Sequence, residues 1–176
     1  ASIKAPGQYK KPESIAQWLD ENKASELDEL MRKTALDGAF GRVYCVGIAD
    51  TENPAHVYTG DEITVLTGLA DYMARIKSDK YQVRFVGHNI AGFDLRFLLQ
   101  RYIVNHITPP PAIRYAAQAK PWEAEKVYDT MTQWAGVGGR ISLSKLCMAL
   151  GVPSPKDGID GSQVYDYFLQ GRHQEV

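Results

Sequence analysis

The amino-acid sequence changes character at residue 42, where a charged helical pattern gives way to an apolar run. Residues 42–50, RVYCVGIAD, are nearly continuously apolar and rich in β-forming residues. A strand that is covered on both faces has this composition, whereas a strand with one face in water alternates apolar and polar residues. The run therefore predicts a strand over Arg42–Asp50 that is buried within a sheet.

Downstream of this run, strand-like and helix-like segments alternate along the chain. The further predicted strands are His56–Thr59, Gln82–Gly87 and Val127–Met131. The predicted helices are Asp61–Lys77, Asp94–Val104, one that Ser142 caps and Gly151 ends, and a last one that Asp160 caps. In the first of these helices the predicted buried face holds Ile63, Leu66, Ala70, Met73 and Ile76. Pro109-Pro110-Pro111 predicts an extended break. The alternation predicts an α/β domain with a mixed sheet flanked by helices.

The N-terminal part of the chain has a different pattern. Residues 1–11 are polar and predict a loop, and from Pro12 to Gly38 apolar residues recur at helical spacing among many charges. We expect this segment to pack outside the sheet as a solvated helix or helical pair. The sequence therefore predicts a single domain over residues 1–176, with residues 1–41 as a helical appendage and residues 42–176 as the α/β core.

The net charge, the cysteines and the lengths of the apolar runs argue against a strongly basic, a disulfide-rich or a membrane-spanning protein. The formal net charge is -1, so the chain lacks the overall basic character of many nucleic-acid-binding proteins, and any such contact must be local or bridged by metal ions. Cys45 and Cys147 both lie in apolar runs, which predicts buried thiols in a reducing compartment. No apolar run approaches the length of a transmembrane helix. We therefore expect a cytoplasmic protein that does not enter a membrane.

The segment FVGHNIAGFDLRFL, residues 85–98, carries the chemistry. It predicts a strand that ends at Gly87, a turn through Asn89, and a helix that begins near Asp94. Asp94 thus follows the C-terminal end of a strand, at the edge where open α/β sheets place their sites. A carboxylate at this edge can meet carboxylates from neighbouring strands and bind a divalent cation through oxygen.

Each residue of this segment also has an ordinary structural explanation. An acid in the first turn of a helix interacts favourably with the helix dipole, and most such acids have no other role. Asn89 can simply form a turn, and Phe93 can simply belong to the core. The order of strand, Gly-His-Asn, turn, Phe-Asp and helix favours function, most clearly for Asp94, then for Asn89, and evenly balanced for His88 and Phe93.

The segment resembles the second motif of the DEDD-type 3′–5′ exonucleases, which have a ribonuclease-H-like fold. The C-terminal part resembles a helix–loop–helix of predicted exonucleases that are related to the proofreading domain of family B DNA polymerases. There a Leu-Gly-x-Pro-x-x-Lys segment and an Asp-Gly-Ser-x-Val segment precede the last catalytic helix, and residues 150–156 and 160–164 match them. Phe40-Gly41-Arg42-Val43, which opens a strand, is also similar.

This resemblance implies a ribonuclease-H-like mixed sheet flanked by helices and a reaction at DNA 3′ ends. In such enzymes four acids bind two Mg²⁺ or Mn²⁺ ions, which activate a water and stabilise the leaving oxygen. Asp94 matches one of the four acids, and so is the candidate metal ligand and catalytic residue together with Asn89. Phe93, against a base or sugar, and His88 are the candidate substrate-binding residues. The implied partners are single-stranded DNA 3′ ends and replication proteins of a phage or bacterium.

The other acids of the resemblance have no clear counterpart here. Residues 1–41 contain no apolar strand that ends in Asp-x-Glu, and the third motif should follow the 160–164 segment. Asp50-Thr51-Glu52 spells the first motif, but the spacing favours a turn instead, since 42–50 and 56–59 fit the second and third strands better. Asp129 is expected to cap a nearby loop or pair with a basic side chain. We therefore expect an internal portion of a longer exonuclease, lacking the first and third motifs, with little or no activity alone.

Two alternatives remain open at this stage. One is a non-catalytic, nuclease-like module that binds nucleic acid or a replication protein. The other is an RNA exonuclease of the same superfamily. No residue of the sequence is recognisable as a contact to a 2′-hydroxyl group, so the sequence does not decide between DNA and RNA.

Overall fold

The computed structural model describes residues 3–76, 83–155 and 161–172, together with residue 175. The helices within these residues are α1 (Pro12–Thr34), α2 (Glu62–Arg75), α3 (Asp94–Val104), α4 (Pro111–Ala116), α5 (Thr130–Ala135), α6 (Leu143–Leu150) and α7 (Val164–Leu169). The strands are β1 (Cys45–Ile48), β2 (His56–Thr59), β3 (Phe85–Gly87) and β4 (Val127–Asp129). The chain is a mixed α/β protein, which confirms the predicted class.

The strands of the described residues pair two by two. β1 and β2 form an antiparallel pair in which Cys45 lies opposite Thr59, and β3 and β4 form a parallel pair in which Gly87 lies opposite Asp129. The prediction of β2 is confirmed at both ends. The single mixed sheet that the sequence predicts is thus present as one antiparallel and one parallel pair, because no described strand joins β1 to β3.

The apolar run at 42–50 forms a shorter and less buried strand than its composition indicates. Only Cys45–Ile48 pairs with a neighbouring strand. Val46 and Ile48 pack against the core, whereas Gly47 between them is exposed. The prediction of burial on both faces is therefore wrong, because the core covers only one side of β1.

The hydrophobic core lies where α2, α3 and α4 meet the strands. Its main cluster consists of Val43, Val65, Leu66, Leu69, Phe97, Tyr102 and Ile113. A second cluster joins α3, α4 and β4 and consists of Leu95, Ala116, Ala117 and Val127. Phe85 of β3 packs against both clusters. The hydroxyl of Tyr102 donates to the carbonyl of Leu66 at 2.7 Å, so this buried polar atom is satisfied.

A buried ion pair joins α2 to α3. The side chains of Glu62 and Arg101 are each 8% exposed, and the guanidinium donates to both carboxylate oxygens at 2.8 and 2.7 Å. The N–H of Val43 and the amide of Asn105 also donate to Glu62, and Arg101 donates to the carbonyl of Gly38. Burial raises the pKa of Glu62, but these donors outweigh it and leave the pKa below its ordinary value.

The core-facing side of α2 agrees with the prediction at Leu66, Ala70 and Met73 but not at Ile63. Glu62, Val65 and Leu69 are buried together with Leu66, whereas Ile63 is 55% exposed. Positions separated by three and four residues share one helix face, so a helix that directs Glu62 at Arg101 buries this set. The predicted inward position of Ile63 is therefore wrong.

Helix α1 lies on the outside of the molecule, and none of its residues is buried. Arg32 donates to Asp166 of α7 at 2.6 and 3.1 Å, and its guanidinium carbon lies 5.1 Å from the centre of the Tyr165 ring. The rings of Tyr44 and Phe168 meet edge to face with their centres 5.5 Å apart. The N-terminal helix and the last described helix thus contact each other, which the sequence did not indicate.

Several boundaries follow the sequence closely. Asp94–Val104 is a helix over the predicted range, and Ser142 caps Leu143–Leu150, which ends at a left-handed Gly151. The side chain of Ser142 accepts the N–H of Lys145 at 3.3 Å. Short polar caps and a C-terminal glycine are local signals, which explains why these ends could be predicted.

Two other boundaries differ from the prediction. Pro111 begins α4 instead of extending the break of the proline run, because a proline is well suited to the first position of a helix. The strand predicted to reach Met131 ends at Asp129, where the carboxylate caps α5. The predictions also include three residues that lie outside the described residues, namely Lys77, Gln82 and Asp160.

Among the helices that the structure describes, none combines the length and the apolar character needed to cross a membrane.

Candidate active site

The candidate site residues that were predicted from the sequence lie in the connection between β3 and α3 and at the start of α3. β3 ends at Gly87 and α3 begins at Asp94, as predicted. Residues 88–93 join them, and we call this segment the second-motif loop. Because β3 and β4 are parallel and Gly87 pairs with Asp129, the loop and the end of β4 lie at the same edge of the strand pair.

The second-motif loop turns through a left-handed residue. Asn89 has a φ of 60°, a conformation that asparagine tolerates better than most residues. Its carbonyl accepts the N–H of Phe93 at 2.9 Å. A Cβ atom at Gly92 would lie 2.6 Å from the side-chain oxygen of Asn89, so a larger residue here would require the Asn89 side chain to move. Asparagine and glycine thus match the geometry of the turn.

The buried carboxylate of Asp129 holds this loop from the end of β4. One oxygen accepts the N–H of Asn89 at 2.9 Å, and the other accepts the N–H of Ala91 at 3.1 Å. The first oxygen also accepts the N–H groups of Met131 and Thr132 at 3.0 and 3.4 Å, which caps α5. The loop-capping role that the sequence indicated for Asp129 is therefore confirmed.

His88 connects the loop to the segment around α5. Its Nε2 atom lies 2.9 Å from the carbonyl oxygen of Ile141, and since a carbonyl only accepts, Nε2 carries the proton and donates. Its Nδ1 atom lies 3.0 Å from the hydroxyl oxygen of Thr130, which also lies 3.2 Å from the carbonyl of Gly87. Both ring nitrogens thus have partners within the protein, and the substrate contact of His88 stays a prediction.

Asp94 stands in the first turn of α3 with its side chain exposed at the surface. Partial desolvation by the surrounding protein raises its pKa, and the nearby charge of Asp129 raises it further. In the described part of the chain Asp94 forms no ion pair with a basic side chain. Its negative charge is therefore accessible and largely uncompensated.

Asn89 and Phe93 precede this carboxylate in sequence and are both half-buried. The ring of Phe93 packs against the core, and its centre lies 5.3 Å from that of Phe97. Part of the Phe93 side chain thus has a structural role. The predicted contacts of Asn89 and Phe93 with a nucleotide stay predictions.

The described residues supply one accessible carboxylate here rather than a complete metal site. Nowhere among them do three or more His, Cys, Asp or Glu side chains gather closely enough to bind an ion. Asp129 is the nearby second carboxylate, but both of its oxygens already accept N–H groups. Asp94 has the oxygen donor and exposure of one ligand to a hard divalent cation, and further ligands are needed.

Asp50 and Glu52, which spell the alternative first motif, lie in a turn after β1. The carboxylate of Asp50 accepts the hydroxyl of Tyr72 and the N–H groups of Glu52 and Asn53. These donors, first of all the Tyr72 hydroxyl, hold the pKa of Asp50 well below its ordinary value. Glu52 is exposed. This arrangement agrees with the turn that the spacing favours.

Sequence reasoning missed Thr130 and Ile141, which anchor His88 from outside the motif. Thr130 directly follows the capping acid, so a strand ending in Asp-Thr before a possible helix was an available signal for the cap. The contact of Ile141 uses its backbone carbonyl, and no side-chain pattern reports such a contact.

Comparison with known proteins gives one result that bears on this loop. No curated protein and no solved structure matches the chain. A family model matches residues 69–176, which is more than half of the chain and includes the second-motif loop, α3 and the Asp129 cap. The chain therefore belongs to the family described as predicted 3′–5′ exonucleases related to the exonuclease domain of PolB.

Proposed function

We propose that this chain provides the second-motif part of a metal-dependent 3′–5′ exonuclease that acts on DNA ends. The observation that carries the proposal is Asp94, an accessible carboxylate without a basic partner among the described residues. It lies at the C-terminal edge of a parallel strand pair, within the region that the exonuclease family matches. A ribonuclease-H-like arrangement of the complete domain, in the cytoplasm, is part of the same proposal.

The proposed roles follow from where the residues lie. Asp94 contributes one oxygen ligand to Mg²⁺ or Mn²⁺, and in a complete site two such ions activate water and stabilise the leaving 3′ oxygen. Asn89 and the exposed part of Phe93 flank the terminal nucleotide. His88 contributes on the substrate side of the loop, while its ring nitrogens keep the loop attached to Thr130 and Ile141.

The remaining acids, in this proposal, come from outside the described residues. β1 and β3 each have one edge without a strand partner in the part of the chain that the structure describes. An unpaired strand edge is a template for a further strand. A strand that carries the first motif would therefore join the two pairs into the mixed sheet that the sequence predicts.

The test is a digestion assay on end-labelled single-stranded DNA with added Mg²⁺ or Mn²⁺. We expect little or no cleavage by residues 1–176 alone and stepwise shortening from the 3′ end by a longer protein that contains them. Asp94→Asn is the matched control for the acid. Metal-dependent cleavage by the 176-residue chain that Asp94→Asn abolishes would refute the incomplete site while supporting the nuclease.

A second candidate function is a non-catalytic module that binds nucleic acid or a replication protein. It is favoured by the single accessible carboxylate and by the absence of a metal-binding cluster in the described residues. DNA binding that is equally strong with a chelator and with Asp94→Asn, without cleavage by any longer form, would favour this module. An RNA oligonucleotide of the same sequence in the same assay decides between the two sugars.

A further inference from the structure

Two neighbouring residues at the end of β4 hold the second-motif loop from outside the motif. Asp129 accepts the N–H groups of Asn89 and Ala91, and the Thr130 hydroxyl lies within hydrogen-bond distance of His88 and of the Gly87 carbonyl. Three residues of the loop, His88, Asn89 and Ala91, are thus within hydrogen-bond distance of Asp129 or Thr130, and so is the carbonyl of Gly87 just before the loop. These contacts join residues about forty positions apart in sequence, as the 40-residue separation of Asn89 and Asp129 shows.

The charge of Asp129 is more than a helix cap requires. Serine or threonine caps a helix with a single neutral oxygen, and α6 is capped in this way by Ser142. Asp129 is only 3% exposed, and burying a carboxylate costs several kcal/mol unless hydrogen bonds compensate it. Of the N–H groups that compensate it, those of Asn89 and Ala91 belong to the loop, and those of Met131 and Thr132 belong to α5. The second carboxylate oxygen therefore serves the loop.

The second-motif loop is hydrogen-bonded to the start of α3, so its position also affects this helix. The Asn89 carbonyl accepts the N–H of Phe93 at 2.9 Å, and the Ile90 carbonyl accepts the N–H of Leu95 at 3.1 Å. Asp94 lies between Phe93 and Leu95, the two residues whose N–H groups donate to the loop. A displacement of the loop would therefore change the direction in which the Asp94 carboxylate points.

We propose that Asp129 is a positioning residue that fixes the second-motif loop, and through it Asn89 and Asp94, without touching substrate or metal. The proposal that this matters for catalysis rests on the proposed exonuclease function. The holding of the loop itself rests only on the hydrogen bonds described above.

The first experiment measures amide hydrogen exchange in Asp129→Ser. A serine keeps one oxygen for the α5 cap but cannot reach both loop N–H groups. We expect exchange at Asn89 and Ala91 to accelerate about 10-fold or more, corresponding to the loss of about one net hydrogen bond each, while the Thr132 amide stays protected. Asp50→Ser is the matched control, because Asp50 also accepts backbone N–H groups in a turn, and it should leave Asn89 and Ala91 unchanged.

Unchanged exchange at Asn89 and Ala91 in Asp129→Ser overturns the proposal, whatever the activity. If this variant does not fold, Asp129→Asn replaces it. Its amide oxygen can keep the bonds to Asn89, Met131 and Thr132, whereas its NH2 group cannot accept the N–H of Ala91, so we then expect accelerated exchange at Ala91. Thr130→Val then tests the His88 anchor separately and should accelerate exchange less than Asp129→Ser.

The second experiment measures steady-state cleavage by the complete nuclease at a temperature where every variant is folded. We expect Asp129→Ser to lower kcat by more than 10-fold with a small change in KM, whereas Asp50→Ser should retain kcat. Full kcat beside accelerated loop exchange would overturn the positioning role. If no form cleaves DNA, the proposed function fails, and the exchange result alone still decides whether Asp129 holds the loop.

Discussion

The charged residues at the two ends of α3 differ in burial and in pairing. At the C-terminal end, Arg101 and Glu62 form a buried pair whose hydrogen-bonding groups find partners, and the pKa of Glu62 lies below its ordinary value. At the N-terminal end, Asp94 is exposed and has no basic partner among the described residues, and its pKa lies above its ordinary value. The first arrangement stabilises the fold, whereas the second leaves a charge available for a cation. The difference separates the structural end of the helix from the end at which we propose a metal ligand.

The largest effect on stability should come from breaking the buried pair. Arg101→Met leaves the Glu62 carboxylate buried without its main partner, so we expect a loss of about 3–5 kcal/mol in the free energy of unfolding. Urea denaturation measures it. Pairing Arg101→Met with Glu62→Leu should recover a large part of the loss, and a double variant as unstable as the sum of the single variants would contradict a coupled pair.

The same pair should make the fold sensitive to acid. Because the folded-state pKa of Glu62 lies below its unfolded value of 4.5, its contribution to stability is present above that pH and is lost as the pH falls through the folded value. We expect the free energy of unfolding to decrease from about pH 4.5 downward, measured by urea titration at several pH values. In Glu62→Gln the part of this decrease that comes from Glu62 should disappear. If the free energy of unfolding of Glu62→Gln decreased equally steeply at acid pH, Glu62 would not be its source.

An intermediate effect is expected at the turn that leads to Asp94. Asn89 has a φ of 60°, so Asn89→Ala should cost about 1 kcal/mol, whereas Asn89→Gly should be close to neutral. Thermal or urea unfolding of the two variants compares them directly. Equal losses for alanine and glycine would indicate that the asparagine side chain, rather than the left-handed backbone, matters for stability.

The smallest effect on stability, and one of opposite sign, is expected at Asp94. A raised folded-state pKa means that the charged carboxylate is disfavoured in the fold, so Asp94→Asn should be neutral or more stable at pH 7, by about 0.5 kcal/mol at most because solvent screens an exposed group. The difference should vanish below about pH 3.8, where both folded and unfolded carboxylates are protonated. A loss of stability at pH 7 would instead identify Asp94 as a simple partner of the helix dipole.

The sequence predicted the parts of this comparison that depend on local signals. The helix Asp94–Val104, the Ser142 cap and strand β2 follow from apolar spacing and capping residues, and the family match confirms the resemblance carried by the second-motif segment. The Glu62–Arg101 pair joins positions 39 residues apart, and neither partner has a local signal for burial. The predicted face of α2 was wrong at Ile63 for the same reason, since periodicity places the charged Glu62 in solvent.

In the candidate site, too, some features could be predicted from local sequence signals and others could not. Asp94 and the loop-capping role of Asp129 could be predicted from the sequence. The contacts of His88 with Thr130 and with the Ile141 carbonyl could not, because only tertiary contact brings these groups together. The apolar run at 42–50 misled for a further reason: its composition indicates burial on both faces, but among the described residues the core covers only one side of β1.

The most direct test of the central claim compares Asp94 with Asp94→Asn in the longest form of the protein that contains residues 1–176. The measurement is digestion of 5′-labelled single-stranded DNA with Mn²⁺, beside melting curves of both proteins. We predict stepwise 3′–5′ shortening by the unmodified protein and none by Asp94→Asn, which should melt at the same or a higher temperature without metal. An Asp94→Asn protein that melts at a lower temperature and still shortens the DNA would contradict the role of Asp94 as a metal ligand.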